Sequence, residues 1–189
     1  MIIKIEEKEG LELYKKYMET DFPEDERPSY KEYKKLTISN KHDIYKYQEN
    51  GETVAYFISI EKDNNILITH LAVIKKYRGI GIGKRLLNSI INFYKNKNLL
   101  IVEAESEKMA NNEAELDIIK KRKKYYLNAG FEEQKGIKYI LTDVDYSILV
   151  YYYITKLTNL ELTNIIKSIY NDVLPNMDYL KIESDEKDI

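Results

Sequence analysis

Apolar and polar residues alternate over 2–6 (IIKIE), enough for a short strand. The pattern then changes period. Leu11, Leu13, Tyr14, Tyr17 and Met18 fall at helical spacing within 8–19. Residues 22–30 (FPEDERPSY) set two prolines in a dense charge cluster, which predicts a loop. Ser29 and Glu32 supply the two halves of a capping box for a second helix through about Ile38. Strand patterns at 43–48 and 53–61 flank Asn50-Gly51, a two-residue hairpin signal. Asp63-Asn64-Asn65 forms a second tight turn into the most apolar strand, 66–74.

Leu86, Leu87, Ile90, Ile91 and Tyr94 lay one apolar stripe on a following helix. Residues 99–105 (LLIVEAE) read as a strand buried on both faces, and the strand–helix–strand order predicts a parallel neighbour for the strand before it. A polar loop (106–113) precedes a helix over 114–129, stopped by Gly130. Phe131 opens the next strand region, and 137–142 and 146–154 form a hairpin around Asp143-Val144-Asp145. An amphipathic helix follows at 159–174, and the acidic tail after Pro175 is expected to fray. The fold class expected is α/β (α+β), with a mixed, mostly antiparallel sheet of about seven strands flanked by helices. Residues 1–155 make the domain. Residues 156–189, a C-terminal helix and acidic tail, pack on it or extend from it.

Composition changes the picture mainly by exclusion. At 189 residues the chain suits one well-buried core, and 43% hydrophobic with 33% charged residues is ordinary for a soluble protein. A net charge of −2 gives no general affinity for nucleic acid. The absence of cysteine removes disulfides, thiolate nucleophiles and Cys-based metal sites. With His42 and His70 the only histidines, a multi-His metal centre is not expected, so the metal expectation is none. No apolar run approaches the ~18 residues of a membrane span, and MIIKIEEKEG lacks a signal-peptide core, so a cytoplasmic location is expected.

The candidate chemistry starts at Gly79, Gly81 and Gly83, which alternate between Arg78 and the helix with the apolar stripe. Such a turn aims several backbone N–H groups at one point, and the helix adds its positive end. That is a phosphate-binding device. A Walker A loop fails because Gly83-Lys84 is followed by Arg85. A dinucleotide fingerprint fails because Gly83 comes one position early, after a mostly antiparallel run. R-x-x-G-x-G fits, as Arg78, Gly81 and Gly83.

The run L-A-V-x-x-x-Y-R-G-x-G-I-G-K-x-L-L, residues 71–87, resembles the acetyl-CoA-binding motif of the GNAT superfamily of N-acyltransferases. Tyr125-Tyr126-Leu127-Asn128-Ala129-Gly130-Phe131 is similar to a second signature of that family, and the element order agrees across 1–155. The loop FPEDERP and the EAE of the 99–105 strand also look similar to a group of bacterial members whose acceptors are poorly defined.

The resemblance implies that acetyl-CoA is the co-substrate. Its pyrophosphate would lie on the backbone of Gly79, Ile80, Gly81, Ile82, Gly83 and Lys84, with Arg78 and Lys84 adding charge. In the family a bulge splays the glycine-loop strand from its parallel neighbour. The pantetheine arm would pair there with main-chain groups at Leu71, Ala72 and Val73, one N–H polarising the thioester carbonyl. Tyr126 would contact the sulfur and protonate the departing thiolate. An Asn that many members carry before that tyrosine has no match in Asp117-Ile118-Ile119-Lys120.

An acceptor ammonium of pKa about 10 must lose a proton before it attacks the thioester directly, without a covalent enzyme intermediate. Glu103, Glu105 and His70 are the candidate bases. Against them stand structural readings: glutamates leaving the strand into solvent, and a hydrogen-bonded sheet histidine.

The function expected is N-acetyl transfer to a primary amine, on a small molecule or a peptide. The acidic Glu24-Asp25-Glu26 suits a cationic acceptor. The alternative is a non-catalytic acyl-CoA-binding sensor. The basic run 120–124 wraps around its helix, so neither nucleic acid nor membrane is expected as a partner. The 146–154 strand and 159–174 helix either form a homodimer surface or complete the core.

Overall fold

The computed structural model describes residues 1–174 and 176–185, leaving aside the side chain of Asp25. The chain divides into two compact units, residues 1–60 with 68–94, and residues 61–67 with 95–189.

In the first unit, β1 (Ile2–Lys4) leads into α1 (Glu7–Leu13), a π-helical turn (Tyr14–Met18) and α2 (Glu19–Asp21). The sequence spacing predicted a plain helix here. The π turn is wider by one residue, and both its ends, Tyr14 and Met18, are wholly buried. After a 3-10 turn (Glu24–Glu26), α3 (Tyr30–Ile38) begins on the expected capping box of Ser29 and Glu32.

Strands β2 (Asp43–Glu49), β3 (Glu52–Lys62) and β4 (Asn65–Val73) follow, in the order β1-β2-β3-β4, with residues 61–67 of the β3–β4 hairpin counted in the second unit. Asn50 and Gly51 take the left-handed φ values of 51° and 80° that their two-residue turn requires. Leu13, Tyr14, Met18 and Tyr33 of the helical arm pack on Ile44, Tyr56, Ile58 and Ala72 of the strands. Close approach depends on Gly10, where a Cβ would lie 2.6 Å from Ile44 Cδ1. Helix α4 (Ile82–Phe93) buries Leu86, Leu87 and Ile90, each worth about 1.5–3 kcal/mol.

In the second unit, β5 (Leu99–Glu105) pairs antiparallel along its length with β8 (Val144–Tyr152). Helix α5 (Glu113–Leu127) is capped by Asn112, and Gly130 follows at φ 95°. Strands β6 (Glu132–Glu133) and β7 (Ile137–Leu141) both pair with β8. The β7–β8 turn lies at Thr142–Asp143, slightly earlier than the sequence predicted. Those two residues take left-handed φ values of 48° and 70°, and Val144 is drawn into the ladder opposite Leu141.

Helix α6 (Asn159–Asn171) starts on a capping box of Thr158 and Glu161, and buries Leu162, Ile166, Ile169 and Tyr170. It therefore completes the core of this unit. The tail corrects an expectation. Residues 180–184 do not fray but form β9 (Leu180–Ser184), paired antiparallel with β7. Leu180 and Ile182 are buried there. Pro175 and residues 186–189 lie outside the described residues.

The fold is mixed α/β, with a mostly antiparallel sheet flanked by helices. Nine strands occur among the described residues, more than the seven or so expected, because β6 is two residues long and β9 lies in the tail. Among the described residues, no helix is long and apolar enough to cross a membrane.

Candidate functional site

The glycine loop folds as its residue types demand. Gly79 and Gly81 have φ of 82° and 81°, in the left-handed region that side chains resist. Beside Gly79 nothing lies within 4 Å of where a Cβ would be, so the main chain borders open space. Gly81 is the N-cap of α4 and brings no side-chain oxygen to that 12-residue helix's first turn. The positive end of the helix dipole therefore faces the loop without a side-chain cap. Ile82 is buried and anchors the turn, while Ile80 sits 64% exposed at the loop's tip. Gly83 lies in the first turn of α4, and Lys84 is exposed beside it.

Two arginines brace this loop. The Arg78 Nε donates to the Val73 carbonyl at 2.8 Å, and its guanidinium pairs with Asp21 at 2.6 Å. The Asp21 side chain is only 4% exposed and also accepts from the Tyr56 hydroxyl at 3.2 Å. Burial, and then the Asp21 charge, push the Tyr56 phenol above its usual range. On the other side Arg85 grips Glu49 through both carboxylate oxygens at 2.8 and 2.9 Å, and donates to the Ile80 carbonyl at 3.3 Å. That bidentate pair holds the Glu49 carboxyl below its ordinary range. Both arginines are therefore engaged by carboxylates, from α2 and β2.

Leu71, Ala72 and Val73 end β4, Ala72 buried and its neighbours half-buried. His70 precedes them. Its Nε2 lies 3.3 Å from the Glu26 carbonyl and its Nδ1 3.1 Å from Thr69 Oγ1. Phe22 meets its ring edge-on at 5.1 Å. Burial lowers the imidazole to about 4, so His70 is neutral at physiological pH. It fastens the FPEDERP segment to β4.

Three further candidates lie in the second unit. Tyr126, at the end of α5, is 8% exposed between the rings of Tyr125 and Phe131, 5.0 and 5.6 Å away. Burial pushes its phenol up to about 12, with the Arg122 charge pulling the other way. It is protonated at neutral pH. Glu105 is paired with Arg122 at 3.0 Å. Glu103, two residues away on β5, has different surroundings. It accepts from the hydroxyls of Tyr139 and Tyr170, the latter at 2.8 and 2.9 Å from its two oxygens. Burial raises its carboxyl from 4.5 to about 7, against the pull of both hydroxyls. Neither glutamate simply leaves the sheet into solvent.

Comparison with protein families identifies the family of the chain. The model of the acetyltransferase (GNAT) family matches residues 9–121, more than half of the chain and including the whole glycine loop. The chain belongs to the GNAT acetyltransferase family. Among solved structures, a Bacteroides thetaiotaomicron protein assigned to the GNAT acetyltransferases superposes with a TM-score of 0.76 at 16% identity. That match covers 92% of this chain and 99% of the other. A chimera of the Vibrio cholerae spermidine N-acetyltransferase SpeG superposes at 0.61 with 12% identity, over 81% and 96% of the two chains. At these identities the likeness is one of fold. Comparison with curated proteins returned no match. As a GNAT acetyltransferase, the chain is an enzyme, and the family it belongs to uses acetyl-CoA as co-substrate.

The sequence singles out the glycine loop, Tyr126 and Glu103 as candidates, but not the side chains that hold the loop and Glu103. Asp21, Glu49 and Arg85 brace the loop, and Tyr139 and Tyr170 hold Glu103. Arg85 alone carried a local signal, as a cation four residues past the N-cap. The others reach their partners across 36 to 67 residues of chain.

Proposed function

We propose that the protein transfers the acetyl group of acetyl-CoA directly to a primary amine, with the backbone of residues 79–84 holding the pyrophosphate. The observation that carries this reading is the pairing of open space beside Gly79 with an α4 N-terminus that carries no side-chain cap. That is the geometry an anionic ligand fills. Acetyl-CoA, when bound, supplies an acyl group whose C–S bond breaks as a C–N bond forms to the acceptor.

The chain's own residues manage the protons. Glu103, poised near neutrality, takes one from the acceptor ammonium, directly or through water. It is favoured over His70, which is a weak base at about 4, and over Glu105, which is tied to Arg122. Tyr126 donates a hydrogen bond, and then its proton, to the departing sulfur. With the phenol at about 12 and a thiol near pKa ~8.5, that transfer is uphill, so Arg122 is the counterweight that eases it. The second proton of the attacking nitrogen restores the phenol. Leu71, Ala72 and Val73 offer main-chain groups for the pantetheine arm.

Acetyl-CoA should raise the melting temperature. No shift at saturating ligand would falsify both this reading and that of a CoA-binding sensor. Release of CoA thiol across a panel of amines then separates enzyme from sensor. Tyr126→Phe should slow turnover at least tenfold and change acetyl-CoA affinity less than threefold. Undiminished turnover in that variant removes the role of Tyr126.

A further inference from the structure

The family model ends at residue 121, yet the Glu103 carboxylate is held by residues beyond it. Tyr139 comes from β7 and Tyr170 from the last turn of α6. Both tyrosines are buried, at 1% and 4% exposure, whereas Glu103 is only half-buried. The contacts are unequal. Among the described residues, Oε1 receives the Tyr139 hydroxyl and lies 2.8 Å from that of Tyr170, while Oε2 meets Tyr170 alone, at 2.9 Å. One hydroxyl donates one proton. Two donors therefore fix the plane of the carboxylate and load Oε1, leaving Oε2 with lone pairs to spare.

An acceptor that merely satisfied two buried phenols could be a neutral amide, without the cost of partly desolvating a charge. A carboxylate at this position is informative for that reason. The titratable groups facing it are Tyr139 and Tyr170. Tyr146 of β8 lies behind them, its ring 5.9 Å from that of Tyr139. Resting on the acetyltransferase reading above, we propose that Tyr170 and Tyr139 are positioning residues. They orient Glu103 so that its Oε2 accepts the proton of the acceptor ammonium, which makes α6 part of the catalytic apparatus.

Both hydroxyls also lower the carboxyl's pKa by bonding its charged form. Removing one raises that pKa and narrows the pH range in which the base is ionised. The test is the pH profile of kcat/KM for wild type, Tyr170→Phe and Tyr139→Phe, using the panel amine with the highest wild-type CoA release. Each variant should move the acid limb upward by about one pH unit. Much of the rate should return on the alkaline side, and KM for acetyl-CoA should stay within about twofold. Glu103→Gln should abolish the limb and slow turnover by about 10²-fold or more.

A purely structural tyrosine would lower the rate equally at every pH. An unmoved limb in both variants overturns the inference while leaving the acetyltransferase reading intact. If wild type releases CoA with no amine, that reading fails and takes the inference with it. The two phenylalanine variants remove donors from different elements, so a folding defect in one leaves the other to decide.

Discussion

Glu103→Gln should change how stability depends on pH in the direction opposite to removal of either buried histidine. Burial holds the folded-state carboxyl near 7, against 4.5 unperturbed. Between those values the folded chain binds more protons than the unfolded one. The group's contribution is therefore fully present below about pH 4.5 and is lost as pH rises through about 7. That difference corresponds to up to about 3 kcal/mol. His42 and His70 act in the opposite direction, since burial lowers both from 6.5 to about 4. Their contributions are present above 6.5 and lost as pH falls towards 4. The wild-type profile alone therefore mixes opposing slopes. Subtracting it from the profile of the variant cancels the histidines and isolates Glu103. Urea unfolding at half-unit steps from pH 4.5 to 8 provides both curves. The glutamine variant should gain up to about 3 kcal/mol relative to wild type across that range. A difference that stays flat within 0.5 kcal/mol or so would refute a desolvated carboxyl at this position.

Other perturbations test the loop and the helical arm. Gly81→Ala forces a side chain into φ 81° and puts its Cβ 3.2 Å from the Arg85 guanidinium. It should cost about 1–2 kcal/mol in urea unfolding, and calorimetry should find acetyl-CoA affinity at least tenfold weaker. Gly79→Ala carries the same strain but meets no atom within 4 Å, so its effect on Arg85 should be absent. His42→Phe keeps the ring contact with Tyr33, and the Thr37 hydroxyl retains the Tyr33 carbonyl as acceptor. Acid titration of that variant should lose up to about 3 kcal/mol of the stability fall between pH 6.5 and 4.

Much of this molecule could be read locally. Asn50-Gly51, Asp63-Asn64 and the Ser29–Glu32 box each declare their geometry within four residues, and all three formed as expected. The glycine loop is local in the same sense, because its spacing and the helix behind it are contiguous. What escaped depends on partners far along the chain. Arg78 reads as added charge beside the glycine loop, and its partner Asp21 lies 57 residues earlier. Glu103 looked like one of two equivalent glutamates until Tyr170, 67 residues later, set it apart. The β7–β8 turn was misplaced because the neighbouring aspartates and Val144 compete for it, and pairing with Leu141 decides. The last strand was missed because two apolar residues among Lys181 and Glu183 are too few to stand out from an acidic tail.

That last strand determines where this chain can be cut. Strand β7 reads IKYIL, apolar and rich in β-branched residues, and β9 lies along one side of it. Without β9, a row of unpaired amides on a hydrophobic strand would face solvent, the form most prone to pair with another copy. With β9 in place, the outermost strand is five residues long and turns the charges of Lys181 and Glu183 outward. A truncation before residue 180 thus removes only a few buried side chains, yet it exchanges a guarded margin for an adhesive one, and aggregation rather than loss of the fold is the failure to expect from it.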